Sequence, residues 1–233
     1  MVHRFIFVKR KPGMSENEFF AYWKDVHAVR YGQKIRQARR YLINTRVPLK
    51  SESGESVWDG AAEVWFDNEE AAAEFIQSDE YVHGSRADEP NFLAFWSMFA
   101  FDTDDTDLIA GEDEAGPHGV KLIQTIKRKE GLSLDVFRAH LIESYGPKLA
   151  KLPGIRRCTV GSVTDLFYGL GETLLDGICC AWFDDQAAAE QALASREFTV
   201  RVQQDVHSFL RPEYVHSMLT RQHWVIGPAF KET

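Results

Sequence analysis

The chain has 233 residues, 44% of them hydrophobic and 27% charged, with a formal net charge of -8. That length suits two small globular units of roughly 115 residues, and the acidic balance argues against a phosphate-binding surface, so nucleic acid is not an expected partner. No stretch approaches the roughly 18 apolar residues of a membrane span, and Met1-Val2-His3-Arg4-Phe5 opens no apolar leader, which predicts a cytoplasmic protein that does not enter a membrane.

In chain order, a strand is predicted at about Val2 to Arg10, followed by the Pro12-Gly13 turn. Ser15 with Glu18 three residues later forms a capping-box pattern, so a helix should begin there. Its apolar positions Phe19, Tyr22, Trp23 and Val26 fall at helical spacing. A strand near Arg40 to Val47, a Ser/Gly/Glu loop, a strand at Ala61 to Phe66 and an alanine-rich helix after Asp67 come next. The aromatic run from Phe92 to Phe101 reads as a final strand, apolar on both faces.

The order then repeats. Asp59-Gly60-Ala61-Ala62-Glu63-Val64-Trp65-Phe66 returns as Asp176-Gly177-Ile178-Cys179-Cys180-Ala181-Trp182-Phe183, an offset of 117 residues (176 minus 59). Lys9-Arg10-Lys11-Pro12-Gly13-Met14-Ser15 maps in the same way onto Lys127-Arg128-Lys129-Glu130-Gly131-Leu132-Ser133, and Arg39-Arg40 onto Arg156-Arg157. The second copy is predicted to hold strands near 120–128, 157–163, 178–183 and 214–221, with helices starting at Ser133 and Asp185. Residues 1–102 and 119–233 are therefore read as two modules, joined by an acidic linker over 103–118. Each β-α-β-β-α-β order gives a four-stranded antiparallel sheet with helices on one face, and two such sheets can cover each other as a barrel-like α+β sandwich enclosing a cavity.

The motif Lys9 to Ser15, the run Glu18-Phe19-Phe20-Ala21-Tyr22-Trp23-Lys24-Asp25-Val26-His27 and the segment Asp59 to Phe66 together resemble the EthD family of the dimeric α+β barrel superfamily. The second copy departs from the pattern: His140 stands in place of Tyr22, Leu141 of Trp23, Tyr145 of His27 and Cys180 of Glu63. The resemblance implies two ferredoxin-like modules pairing their sheets within one chain as an intramolecular dimeric α+β barrel. For function it implies a wide range, from ether-degradation accessory proteins and polyketide-tailoring dehydratases or decarboxylases to cofactor-free monooxygenases and haem-binding barrels.

His27 and Glu63 are the catalytic candidates. Histidine exchanges a proton near neutral pH, although a helix-end histidine bonded to backbone reads equally well. Glu63 interrupts an apolar strand and needs a partner or a raised pKa if it is buried. Tyr22, Trp23, Trp96, Tyr214 and His216 are expected to line a substrate pocket, with Tyr214, His216 and Met218 on one strand face. His83 and His207 are assigned to loops or helix ends, and Arg36, Arg39 and Arg40 either hold an anionic group or lie on a solvated helix end.

The three cysteines, Cys158, Cys179 and Cys180, lack zinc-ligand spacing and read as reduced thiols. No HExxH, phosphate loop or nucleophile elbow occurs, and Gly169-Leu170-Gly171 lacks the context of a dinucleotide site. The expectation is an enzyme of lyase or isomerase type that needs no metal or cofactor and moves a proton during dehydration, cyclisation or decarboxylation of an aromatic or polyketide-like molecule. The alternatives are a non-catalytic ligand-binding accessory protein of an oxygenase system, and a haem-binding barrel using His27 or His216. Two fused units could further associate as a homodimer.

Overall fold

The computed structural model describes residues 1–50, 55–113, 116–169 and 171–227. Most of the predicted Ser/Gly/Glu loop, the middle of the predicted linker and Leu170 lie outside the described residues. Eight strands form: β1 (Val2–Val8), β2 (Arg40–Arg46), β3 (Gly60–Phe66), β4 (Phe99–Ile109), β5 (Val120–Ile126), β6 (Ile155–Val163), β7 (Gly177–Phe183) and β8 (His216–Ile226). Their hydrogen-bonded order, β1-β3-β2-β8-β5-β7-β6-β4, closes into a barrel.

The chain divides into two compact units, Met1–Arg46 with Gly54–Asp102 and Gln222–Thr233, and Val47–Ser53 with Thr103–Arg221. In the first, β3 is the central strand, antiparallel to β1 through Phe5↔Glu63 and to β2 through Leu42↔Glu63. The first helix starts where the sequence predicts it. Ser15 accepts the Glu18 N–H while the Glu18 carboxylate accepts from Ser15, a complete capping box. The helix runs as α-helix over Glu16–Ala21, widens into a π-helical segment at Tyr22–His27 and ends as Ala28–Arg30. Helical turns also follow β3, over Glu69–Phe75 and a π-helical Glu80–Ser85. Phe19, Trp23, Ile43, Val64, Phe66 and Phe92 pack the core between these helices and one face of the sheet. The second unit repeats the plan, with β7 antiparallel to β5 and β6. Its own π-helical segments lie at Leu141–Tyr145 and Glu197–Val202.

The two duplicated motifs meet each other in each unit. The fully buried Asp59 carboxylate accepts the Arg10 backbone N–H at 2.8 Å and pairs with the Arg10 guanidinium. Asp176 does the same with Arg128. The adjacent glycine has a different reason to recur: a Cβ on Gly60 would lie 2.7 Å from the Trp23 ring and 2.6 Å from the Asn44 carbonyl oxygen. Only a hydrogen fits beneath the indole.

Two expectations are corrected. The aromatic run does not become a strand at Phe92. An isolated bridge ties Leu93 to Arg10, and Phe95–Ser97 forms a 3-10 turn, so β4 begins only at Phe99. The acidic segment read as a linker then continues that strand, with Thr103 to Ile109 paired to β6. Cross-strand pairing can hold such a charged segment extended where local composition favours a solvated loop.

Removing Asp59 takes the partner from the Arg10 backbone N–H and from a guanidinium whose side chain is 26% exposed. Asp59→Ala is expected to cost about 2 kcal/mol in urea denaturation, as for lost hydrogen bonds to a charged group. Arg156→Ala breaks a pair with Asp184 whose side chains are 66% and 59% exposed and is expected to leave the urea midpoint essentially unchanged, because solvent screens such a pair.

Candidate active site

Side chains alternate across β3. Gly60, Ala62 and Val64 face the helices of the first unit, where Ala62 and Val64 line a cavity of about 50 Å³. Trp23, His27, Tyr41, Tyr81, Ser85 and Glu89 also line it, among apolar residues from Ile6 to Met98. The π-helical turn bonds the Ala28 N–H to the Trp23 carbonyl. Within this wider turn Trp23 and His27 both reach the cavity.

His27 is held by a residue that sequence reading did not single out. Its Nδ1 lies 2.9 Å from Asp88 Oδ2, and the other carboxylate oxygen, Oδ1, accepts from the Tyr22 hydroxyl and from Asn91 Nδ2, each at 2.9 Å. Burial pushes the Asp88 carboxyl up, but the hydrogen bonds from Asn91, His27 and Tyr22 outweigh it and hold it below the ordinary range. An ionised carboxylate only accepts, so Nδ1 carries the proton and Nε2 is left as the basic nitrogen. Burial lowers the His27 pKa, with Asp88 opposing it, so the ring is predominantly neutral at pH 7. Tyr22 and Asn91 also line an open surface cleft of about 640 Å³, so the Asp88 hydrogen bonds connect the buried imidazole to that cleft.

Glu63 lies on the opposite face of β3. It is 1% exposed, accepts from Asn44 Nδ2 at 2.6 Å and lies 3.1 Å from His3 Nε2. His3 in turn stacks on Trp65 with ring centroids 4.2 Å apart. The predicted partnership of His27 and Glu63 is therefore not formed, because an odd number of strand positions separates Glu63 from the cavity-lining residues. Trp23 lines the cavity, and Tyr22 supports it through Asp88. Trp96 does neither, being 67% exposed in the 3-10 turn. Tyr214 lies in another 3-10 turn, Pro212–Tyr214, before β8 begins at His216. Tyr214 and His216 thus do not share a strand face, and both belong to the second unit. His223 accompanies Thr45 at 2.9 Å.

Among the described residues no group of three or more His, Cys, Asp or Glu is placed to hold a metal ion, and no helix is long and apolar enough to cross a membrane. A haem does not fit the His27 cavity, since its macrocycle far exceeds about 50 Å³.

The sequence matches the model of the EthD domain over residues 11–95 and again over 129–213. The chain belongs to the EthD family. An EthD family protein from Bacillus halodurans C-125 is 23% identical over 44% of this chain and 97% of that one, with a TM-score of 0.37. An anthrone oxidase-like protein aligns over 100% of this chain and 96% of its own, at 11% identity and a TM-score of 0.64. A Fusobacterium nucleatum protein provisionally described as a monooxygenase covers 96% of this chain and 91% of its own, at 10% identity and a TM-score of 0.56. The two longer alignments show a shared fold. No curated protein matches the sequence.

The EthD domains differ where His27 sits. Its counterpart Tyr145 is fully buried and donates its hydroxyl proton to Gln124 Oε1. The counterpart of Asp88, Asp205, pairs with Lys148 and lies 3.7 Å from His140. A histidine–aspartate pair facing a cavity is thus a feature of the first copy.

Nuclear magnetic resonance titration should place the His27 midpoint below 6.5. Asp88→Asn should lower it further, because the carboxylate opposes the effect of burial. The unfolded chain then holds the extra proton between the folded pKa and about 6.5. Stability is therefore full above that window and declines as pH falls through it, which denaturation at a series of pH values would measure.

Proposed function

We propose that this EthD protein is a cofactor-independent acid–base enzyme acting on a small molecule, with His27 Nε2 as the proton acceptor. The observation that carries this reading is an imidazole fixed at Nδ1 by Asp88 and buried against an apolar cavity. Asp88 is a positioning residue. It selects the tautomer and stabilises the imidazolium once a proton has been taken. Dehydration and cyclisation both begin with removal of a proton next to a carbonyl, which suits a base that is neutral at pH 7. Decarboxylation needs a proton delivered to carbon and fits a depressed imidazole pKa less well.

The substrate class follows from the walls. An apolar lining with few polar groups suits an aromatic or polyketide-like molecule. A benzene-sized ring needs a cavity of about 150 Å³, so at about 50 Å³ the site takes the reacting group, and a whole ring enters only if the π-helical walls shift. Two fused EthD modules would supply within one chain what separate modules supply as a pair, and further homodimerisation would add to that arrangement.

Thermal-shift measurements with phenols, quinones, aromatic acids and polyketide-like ligands test the reading. Stabilisation by one ligand class, lost in His27→Ala, is the expected outcome. Ligand stabilisation that survives His27→Ala identifies a non-catalytic carrier instead. With a turned-over ligand, Asp88→Asn should lower kcat about 100-fold or more with little change in KM.

A further inference from the structure

The second copy is an internal control for the first, because it packs the same positions without the same chemistry. Ser85 and Val202 each end the second π-helical segment of their copy, and Glu89 and Val206 follow four residues later. Matching bridges, Arg10–Leu93 and Arg128–Leu210, fix the register of both segments. Tyr41 and Cys158 occupy the same sheet position, opposite Val64 and Ala181. Tyr81 corresponds to Phe198. In the second copy Cys158, Val202 and Val206 are members of the hydrophobic core, with Phe198 packed against it. The fold fills these positions with apolar side chains, so the first copy's polar set is not a requirement of packing. Burying such groups costs stability, which points to a retained use.

Two of these groups have the means to act on a ligand. The Ser85 hydroxyl is buried and has no hydrogen-bond partner among the described residues. Glu89 is buried beside the cavity with one carboxylate oxygen against the Arg86 guanidinium. The lining includes neither lysine nor arginine, so the ligand group it receives is uncharged.

We infer that Ser85 and Glu89 hold a carbonyl oxygen in the His27 cavity, with Glu89 as the proton donor, so that the site enolises a neutral ketone. This deepens the proposed function and rests on His27 being the base. His27 Nε2 takes a proton from the carbon beside the carbonyl, and the C–H electron pair becomes the C=C bond. The C=O π pair takes the proton of Glu89, giving the enol. Asp88 balances the resulting imidazolium and Arg86 the resulting carboxylate. Burial raises the Glu89 pKa, with Arg86 opposing it and Asp88 adding to it. Tyr41 and Tyr81, both raised mainly by burial, stay neutral, Tyr41 at about 12. Since His27 must be unprotonated and Glu89 protonated, the rate should pass through a maximum in pH, falling at low pH as His27 protonates and at high pH as Glu89 ionises.

The test uses the full chain and acetone, the smallest ketone, in heavy water, with proton NMR following deuterium exchange at the α-carbons. Wild type should exchange faster than His27→Gln, and Glu89→Gln should lose at least tenfold of the wild-type excess. A Ser85→Val/Glu89→Val double variant, which carries the second copy's residues, should lose that excess and melt higher than wild type. A lower melting temperature in the double variant, or full exchange in Glu89→Gln, overturns the inference. Exchange that depends on His27 but not on Glu89 leaves the proposed base standing, whereas exchange independent of both overturns the two together.

Discussion

The buried carboxylate of Asp59 is the point on which the first domain turns. It sits beyond water's reach and is stable there because it accepts both the backbone N–H and the guanidinium of Arg10. That fixes the exit of β1, and the Leu93 bridge to Arg10 then anchors the segment carrying Asp88, Glu89 and Phe92. Those three residues reach His27 and its cavity only because the segment leaves the β1 end at that register. The same carboxylate logic recurs at Asp176, where Lys127 at 3.1 Å and Tyr168 add to the pair with Arg128. The clamp is thus a folding device common to both copies, and the chemistry attached to it differs.

Duplication separates the two kinds of constraint. Positions that carry the fold keep their chemistry in both copies: Asp59 and Asp176, Gly60 and Gly177, Ser15 and Ser133 as helix caps. Positions around the cavity change together. The second copy closes its tyrosine onto Gln124 and seals the remaining space with valine, cysteine and phenylalanine. One copy supplies a packed core at the place where the other keeps titratable groups.

Burial acts oppositely on His27 and Glu89 in that cavity. It disfavours charge on either, which lowers the histidine and raises the carboxyl. Each has one oppositely charged partner set behind it, Asp88 for the imidazole and Arg86 for the carboxyl. In the proposed reaction, these partners would match the charge left behind when a proton moves between ligand and protein in a low-dielectric space.

The residues themselves specified the duplication, the first-helix cap at Ser15 and Glu18, the strand positions around Asp59 and Asp176, and the family. All of these rest on local periodicity or on short motifs, which neighbouring residues determine. His27 was also legible, as a polar group following an apolar helical stripe. Asp88 was not, because it lies 61 residues from His27 and no periodicity links the two. Ser85 and Glu89 belong to no motif or periodic stripe that would mark them in the sequence, and the expected pairing of Glu63 with His27 fails because strand parity places Glu63 on the other face of β3. Trp96 showed the reverse case, an aromatic residue left at the surface because the Arg10–Leu93 bridge turns the chain before β4 starts. Local sequence determines which elements form and where they begin. Only the packing of distant segments decides which side chains share a buried space, because burial and hydrogen bonding are properties of that space and not of the residues alone.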